Sequence, residues 1–451
     1  MTRFFFSARM TAPYTTAVTA PYTAMSVSDA LVYQPKPSAV SGHKFRSNLY
    51  PFNASSFNPG QTIMINVPTG RRGQYLNTRM SYLRFDVANT TEDRILRPDY
   101  SISSIISRIS IYHGSNLLED IHEYGLLHSL WMDIAGDADA LGTSGNVMEG
   151  VDAVPFNRNG VQIPENGKRT FCVPLLSGVI GVLMRKYLPV GAIIGDLRLE
   201  IVLAEPNTGM VQVVDDGAGD LIPPSTPTTN SWVVDRVELI TETTELATDA
   251  AMMIEQANPN GYMISFDSFA HYTNNIAQGS QNVNALIPAR FSSLKTLFSS
   301  MRYATTITNS AARSLSGKKN MFVTSARESR GQWYYSIGGK NMPATPVKNT
   351  TEAYAELQKA LHAFGGANTT AIIRDDNWTQ PDEGGTFVIA QDLEHIPHKS
   401  SVHESGVNTL AVDVYLLADF GSTAPFNIRL DTFAHHDALL VIQNGICSTR
   451  F

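Results

Sequence analysis

LRLEIVLAEP, residues 197–206, alternates Leu197, Leu199, Ile201 and Leu203 with Arg198 and Glu200 and stops at Pro206. Successive side chains on an extended strand point to opposite faces, so such a run has one dry face and one wetter one. That is how a half-buried antiparallel sheet reads. Upstream, Ile63, Ile65 and Val67 alternate with Met64 and Asn66 and end at Pro68. Leu83, Phe85 and Val87 alternate with Arg84 and Asp86, and Ile109 and Ile111 with Arg108, Ser110 and Tyr112. Downstream come Val237 and Leu239, then Ile264 and Phe266, then Leu410, Val412, Val414 and Leu416, then Phe426, Ile428 and Leu430. Residues 410–420, LAVDVYLLADF, echo the opening stretch, although any two amphipathic strands share that much.

Helices are few. Thr351 to Phe364 places Tyr354, Leu357, Leu361 and Phe364 on one face, with Thr350 or Thr351 to cap its start and Gly365 to close it. Leu117 to Trp131 is the second candidate, with Leu118, Ile121, Tyr124 and Leu127 spaced three apart. Many short strands, turn-rich connections and two isolated helices predict an all-β chain of two sandwiches, not an α/β enzyme. The 451 residues suit two cores of roughly 200 residues each. The expected division is an irregular arm over 1–45, a first sandwich over 46–206, a connection over 207–231 and a second sandwich over 232–451. The connection is crowded with Gly, Pro, Asp and Thr, with a short strand at Val211–Val214. The arm carries TAPYT twice, at 11–15 and 19–23, and has no periodicity. Met25 opens a more ordinary-looking N-terminus and is a second candidate start.

With 34 basic against 41 acidic residues, the formal charge is −7, opposite to what coating nucleic acid requires. Only the first 46 residues lean positive. Two cysteines, Cys172 and Cys447, make neither a disulfide framework nor a zinc site and read as reduced, packed thiols. No run approaches the ~18 apolar residues of a membrane-spanning helix, and the N-terminus lacks the apolar core of a signal peptide. Without one, the sequons at Asn53, Asn89, Asn349, Asn368 and Asn377 carry no weight.

Several segments resemble the double jelly-roll major capsid proteins of Polinton-like viruses, adintoviruses and virophages, smaller relatives of the hexon-type capsid proteins. They are FNPGQTIMINVP (57–68), YLNTRMSYLRFDV (75–87) and ISRISIYHGSNLLEDIHEYGLLHSLWMD (106–133), which holds a G-x-x-L-L-E-x-I-x-x-Y pattern. FCVPLLSGVIGVLMRKYLPVGAIIGDLRLEIVLAE (171–205) has the shape that closes the first jelly roll in that group. IPARFSSLKTLFSSMR (287–302) carries their S-L-K-x-L-F strand, and FNIRLDTFAHHDALLVIQNG (426–445) their closing strand. The order and spacing of these segments over 57–445 carry the likeness. It implies two tandem eight-stranded jelly rolls standing upright, a homotrimer of pseudo-sixfold outline, and an icosahedral shell of a double-stranded DNA virus. Implied partners are neighbouring capsomers, a penton or vertex protein and minor capsid proteins, with an internal membrane in some members and no sequence-specific nucleic acid. The chain would reside in the virion after synthesis in the host cytoplasm or nucleus. A glycan-binding viral attachment or fibre-base protein is the rival reading.

Other residues invite chemistry. His435-His436-Asp437 is one group; His395, His398 and His403 with Glu394 and Glu404 is another, where a divalent ion bridging the three histidines is conceivable. The plainer readings are the start of a strand and a polar loop. Gly338-Gly339-Lys340 is too short to cradle a phosphate and reads as a turn, and Asp137 and Asp139 lack the other ligands of a calcium loop. Lys318-Lys319 with Arg313, Arg327 and Arg330, followed by Trp333, Tyr334 and Tyr335, is the patch most like a nucleic-acid surface. A solvated loop leading into an aromatic strand, or an interface loop, explains it as well. No serine elbow or phosphate-binding glycine loop occurs, which disfavours a hydrolase. No catalytic, cofactor-binding or metal-binding residue is assigned.

Overall fold

Among the described residues, two sets of eight strands repeat one order. A computed structural model describes residues 41–135, 141–151, 161–215, 217, 221–322, 331–361, 373, 378–379, 385–395 and 405–451. The first set is β1 (Gly42–Leu49), β2 (Thr62–Val67), β3 (Gln74–Asn89), β4 (Ile106–His113), β5 (Asn116–His122), β6 (Lys168–Pro174), β7 (Leu197–Leu203) and β8 (Trp232–Leu246). It forms two antiparallel sheets, β1-β8-β3-β6 and β2-β7-β4-β5. The second set is β9 (Tyr262–Ile276), β10 (Asn282–Ile287), β11 (Leu294–Tyr303), β12 (Gln332–Ile337), β13 (Lys340–Val347), β14 (Ile389–Asp392), β15 (Val414–Asp419) and β16 (Ile428–Gln443). It repeats the pattern as β9-β16-β11-β14 and β10-β15-β12-β13, and β17 (Ile446–Arg450) folds back on β16. In both sets the first strand lies beside the eighth and the second beside the seventh.

The alternation does what it predicts. Ile63, Ile65 and Val67 on β2, Leu83, Phe85 and Val87 on β3, and Leu197, Leu199, Ile201 and Leu203 on β7 are all buried, while Arg198 and Glu200 reach solvent and pair at 2.7 Å. Gly338 and Gly339 form the turn between β12 and β13; their φ values of 57° and 80° are those a two-residue hairpin demands.

Strand pairing moves the expected boundaries. Trp232–Leu246, placed by sequence at the head of the second sandwich, runs between β1 and β3 and closes the first, with Trp232, Val234 and Leu239 in its core. Alternation reports a dry face but not which sheet it belongs to. The expected connection over 207–231 holds a strand, Met210–Asp215, pairing with Ile95–Pro98 and Leu221–Ile222, so it flanks the first sandwich. The chain crosses to the second set at 247–261. β1 begins at Gly42, four residues inside the expected arm, whose first 40 residues lie outside the described residues.

The helices shift too. Leu117–His122 is strand, and helix α1 covers Tyr124–Ala135. β5 misleads because a register shift opposite Ile111 and Tyr112 leaves Leu118 as an extra residue, so Leu118 and Glu119 are buried in succession and the strict period of two breaks. Helix α2 (Thr248–Ala257) was not anticipated. Helix α3 (Thr350–Ala360) is capped by Asn349, whose side chain accepts the Glu352 N–H at 2.6 Å, not by a threonine. Phe364 and Gly365 lie outside the described residues. Leu410 and Phe426 are about half exposed and precede their strands.

Candidate functional site

The two sandwiches meet along a seam rich in buried, hydrogen-bonded polar groups. Its centre is Glu119 on β5, which solvent does not reach. The carboxylate accepts the Gly178 N–H at 2.8 Å, the Val179 N–H at 3.2 Å, the Ser177 hydroxyl, and the Ser268 hydroxyl on β9 at 2.8 Å. Burial pushes this carboxyl above its ordinary range, against the pull of those four donors. Ser177–Val179 lies against β9 so closely that a Cβ on Gly178 would stand 2.1 Å from Phe266 Cδ2 and 2.4 Å from the Asp267 carbonyl oxygen. Only glycine fits there. Among the described residues β9 pairs on one side only, with β16, and the first sandwich packs against this otherwise open strand.

Two further clusters flank this one. Asp99, buried, accepts the N–H groups of Ser314 and Leu315 at 2.7 Å each and the Ser316 hydroxyl at 2.7 Å. Beside it the Ser129 hydroxyl donates to Leu315 O at 3.1 Å and the Gln212 N–H to Ser310 O at 2.8 Å. On the other side, Arg302 and Asp431 pair at 2.6 Å with no exposure, His271 and Arg429 contact the same carboxylate at 2.9 Å, and Arg429 reaches Glu123 of the first sandwich at 2.7 Å. Burial alone would raise Asp431; the Arg302 guanidinium, with His271 and Arg429, holds it well below the usual carboxylate range. Trp131 of α1 meets Phe269 edge to face at 5.7 Å.

The rim is tied by backbone. His113 Nδ1 accepts the Cys447 N–H at 3.1 Å, which leaves Nε2 to donate to Ile194 O at 2.9 Å and fixes one neutral tautomer. The Ile194 N–H donates to Gly445 O at 2.8 Å. Both cysteines are free; burial pushes the Cys447 thiol up to about 12.

The residues that suggested chemistry go elsewhere. His435-His436-Asp437 lies within β16, not at a strand's start. His435 stacks on Phe269 and His436 on Phe291, the latter at 3.9 Å between nearly parallel rings. Asp437 accepts the Ser293 hydroxyl at 2.7 Å and pairs with Lys295 at 3.1 Å. Among the described residues no three His, Cys, Asp or Glu side chains are grouped to hold a metal ion. His398, His403, Glu404, Asp137 and Asp139 lie outside the described residues. The basic patch does not form as a surface: Lys318 is fully buried, its Nζ 2.6 Å from Asp133 Oδ2, and Lys319 is buried beneath the Tyr303 ring. Trp333 and Tyr335 are core, and Arg327 and Arg330 lie outside the described residues. Residues 310–318 pack on the first sandwich of the same chain, through Ser310, Ser314 and Leu315.

No protein-family model matches the sequence, and no curated protein does. Solved structures do. The PBCV-1 virus capsid model superposes with a TM-score of 0.62 at 11% identity, covering 93% of this chain and 98% of that one. The Faustovirus major capsid protein gives 0.58 at 9%, covering 92% of each chain, and the mavirus major capsid protein 0.51 at 10%, covering 96% and 95%. These neighbours are double jelly-roll capsid proteins. The chain has the double jelly-roll fold. In a double jelly roll the seam is what sets one roll beside the other, and the two resemblance segments 106–133 and 171–205 supply its central cluster. Sequence reading located those segments but not their purpose, because a buried Glu, Ser and Gly carry no periodic signal.

Proposed function

We propose that this chain is the major capsid protein of a double-stranded DNA virus, a structural building block without catalysis. Three copies close into a pseudo-hexameric capsomer, and capsomers tile an icosahedral shell with vertex and minor capsid proteins as partners. The observation that carries this reading is the seam joining two jelly rolls of identical strand order. Two like sandwiches fixed side by side, taken three times, present six similar units around one axis. Superposition over nearly the whole of capsid chains supports it further, since little of either chain is left for another task. Sheet edges that would otherwise invite aggregation are covered when such a ring closes.

The test is assembly. Purified protein should scatter light as a particle of three times the 49.3 kDa chain mass and appear pseudo-hexagonal in negative stain. A chain that stays monomeric at every concentration and builds no particle defeats the proposal.

A further inference from the structure

Helix α1 of the first sandwich and residues 314–320 of the second meet at a lysine and an aspartate that water does not reach. Lys318 is 0% exposed and Asp133 1%, and Nζ stands 2.6 Å from Oδ2. Two directions around the nitrogen are taken, by donation to Ser129 Oγ at 2.8 Å and Leu315 O at 2.9 Å. The Asp133 carboxylate faces this nitrogen and the Tyr100 hydroxyl. A neutral amine has two N–H bonds and one lone pair, so these two donations leave the lone pair facing the carboxyl group.

We propose that Lys318 and Asp133 condense to an isopeptide bond that joins the two jelly rolls covalently. A proton passes from the ammonium to the carboxylate, leaving amine and acid. Nζ then adds to Cγ, the Cγ–N bond forms and one Cγ–O bond breaks, and that oxygen departs as water with two protons drawn from the pair. The overall change is ammonium plus carboxylate to amide plus water, with no oxidant, reductant or cofactor. The buried Tyr100 hydroxyl beside Asp133 is placed to relay the proton. Burial pushes the Asp133 carboxyl above its ordinary range despite the nearby lysine, which favours the acid form that an amine attacks. Held in contact, such groups react as though present at about 10⁵–10⁸ M, and a dry site does not return the water.

Lys295 shows that burial beside an aspartate is not enough. It lies 2.8 Å from Asp267, 3.1 Å from Asp437 and 3.5 Å from Glu394, and although burial opposes it, those carboxylates keep its ammonium charged.

The measurement is the intact mass of the purified, denatured full chain. The expected mass is that of the sequence less one water, with the peptides holding residues 133 and 318 recovered as one branched species after digestion. Lys318→Arg should restore the full sequence mass. Asp133→Asn should lose ammonia instead and arrive at the same linked product. A wild-type chain at full sequence mass overturns the proposal and leaves an ordinary buried ion pair; so does a Lys318→Arg chain that still lacks one water. Neither result depends on trimer or shell formation.

Discussion

Glu119 of the first jelly roll accepts the Ser268 hydroxyl of the second at 2.8 Å while it accepts the Gly178 N–H at the same distance. One buried carboxylate therefore serves a strand, a loop and the neighbouring sandwich together. Removing it strands several donors where water cannot replace it. Glu119→Ala should cost about 3–5 kcal/mol in urea unfolding, whereas Ser268→Ala, which leaves three donors in place, should cost about 1 kcal/mol. Equal unfolding midpoints for Glu119→Ala and wild type would contradict this role.

Gly178 is a steric requirement, not a flexible joint. Gly178→Ala drives a methyl group into the backbone of β9, with an expected loss of at least about 1–3 kcal/mol. It should also speed proteolysis between the sandwiches. Gly114 is the comparison: a Cβ there meets nothing within 4 Å, and its φ of 59° alone should make Gly114→Ala cost about 1 kcal/mol. If the two variants unfold alike, close packing at Gly178 is not what matters.

His436 makes stability depend on acid. Burial lowers its pKa from 6.5 to about 4, so between those values the unfolded chain holds a proton that the folded chain does not. Its contribution is complete above pH 6.5, declines as pH falls toward 4 and is lost below, a span of about 3 kcal/mol at 1.36 kcal/mol per unit. His436→Phe keeps the stacking on Phe291 and should flatten that part of the denaturation profile. An unchanged slope would point to other groups.

Cys172 is half-buried and Cys447 buried with its thiol held protonated. Thiolate is the reactive form, so a maleimide should label Cys172 first in the native protein and Cys447 only once denaturant opens the seam. Rapid native labelling at Cys447 would mean that the rim between β5 and β17 is open in solution.

Much of this fold is legible in the residues. Ile63, Phe85 and Leu199 mark strands because one face of each is dry and the other is not, and the hairpin glycines 338 and 339 mark a turn through their φ values. β5 is less legible, since Glu119 faces a second protein surface instead of water. The membership of β8 is hidden altogether, because pairing partners lie some distance away in sequence and alternation is silent about them. Lys318 and Lys319 look like a solvated patch for the same reason: the carboxylate and the ring that bury them come from residues 133 and 303.

β1 pairs along its length with β8, Gly42 opposite Leu246. On the ribosome, the first sandwich therefore cannot close until residue 246 has emerged, and its exposed β8 partner edge waits for most of that synthesis. The second waits likewise, from Tyr262 until β16 arrives. Non-local closure of this kind is slow and leaves unpaired strands open to neighbours on crowded polysomes. Translation speed through 190–246 and 400–443, and the chaperones present then, should govern yield more than the stability of the finished molecule.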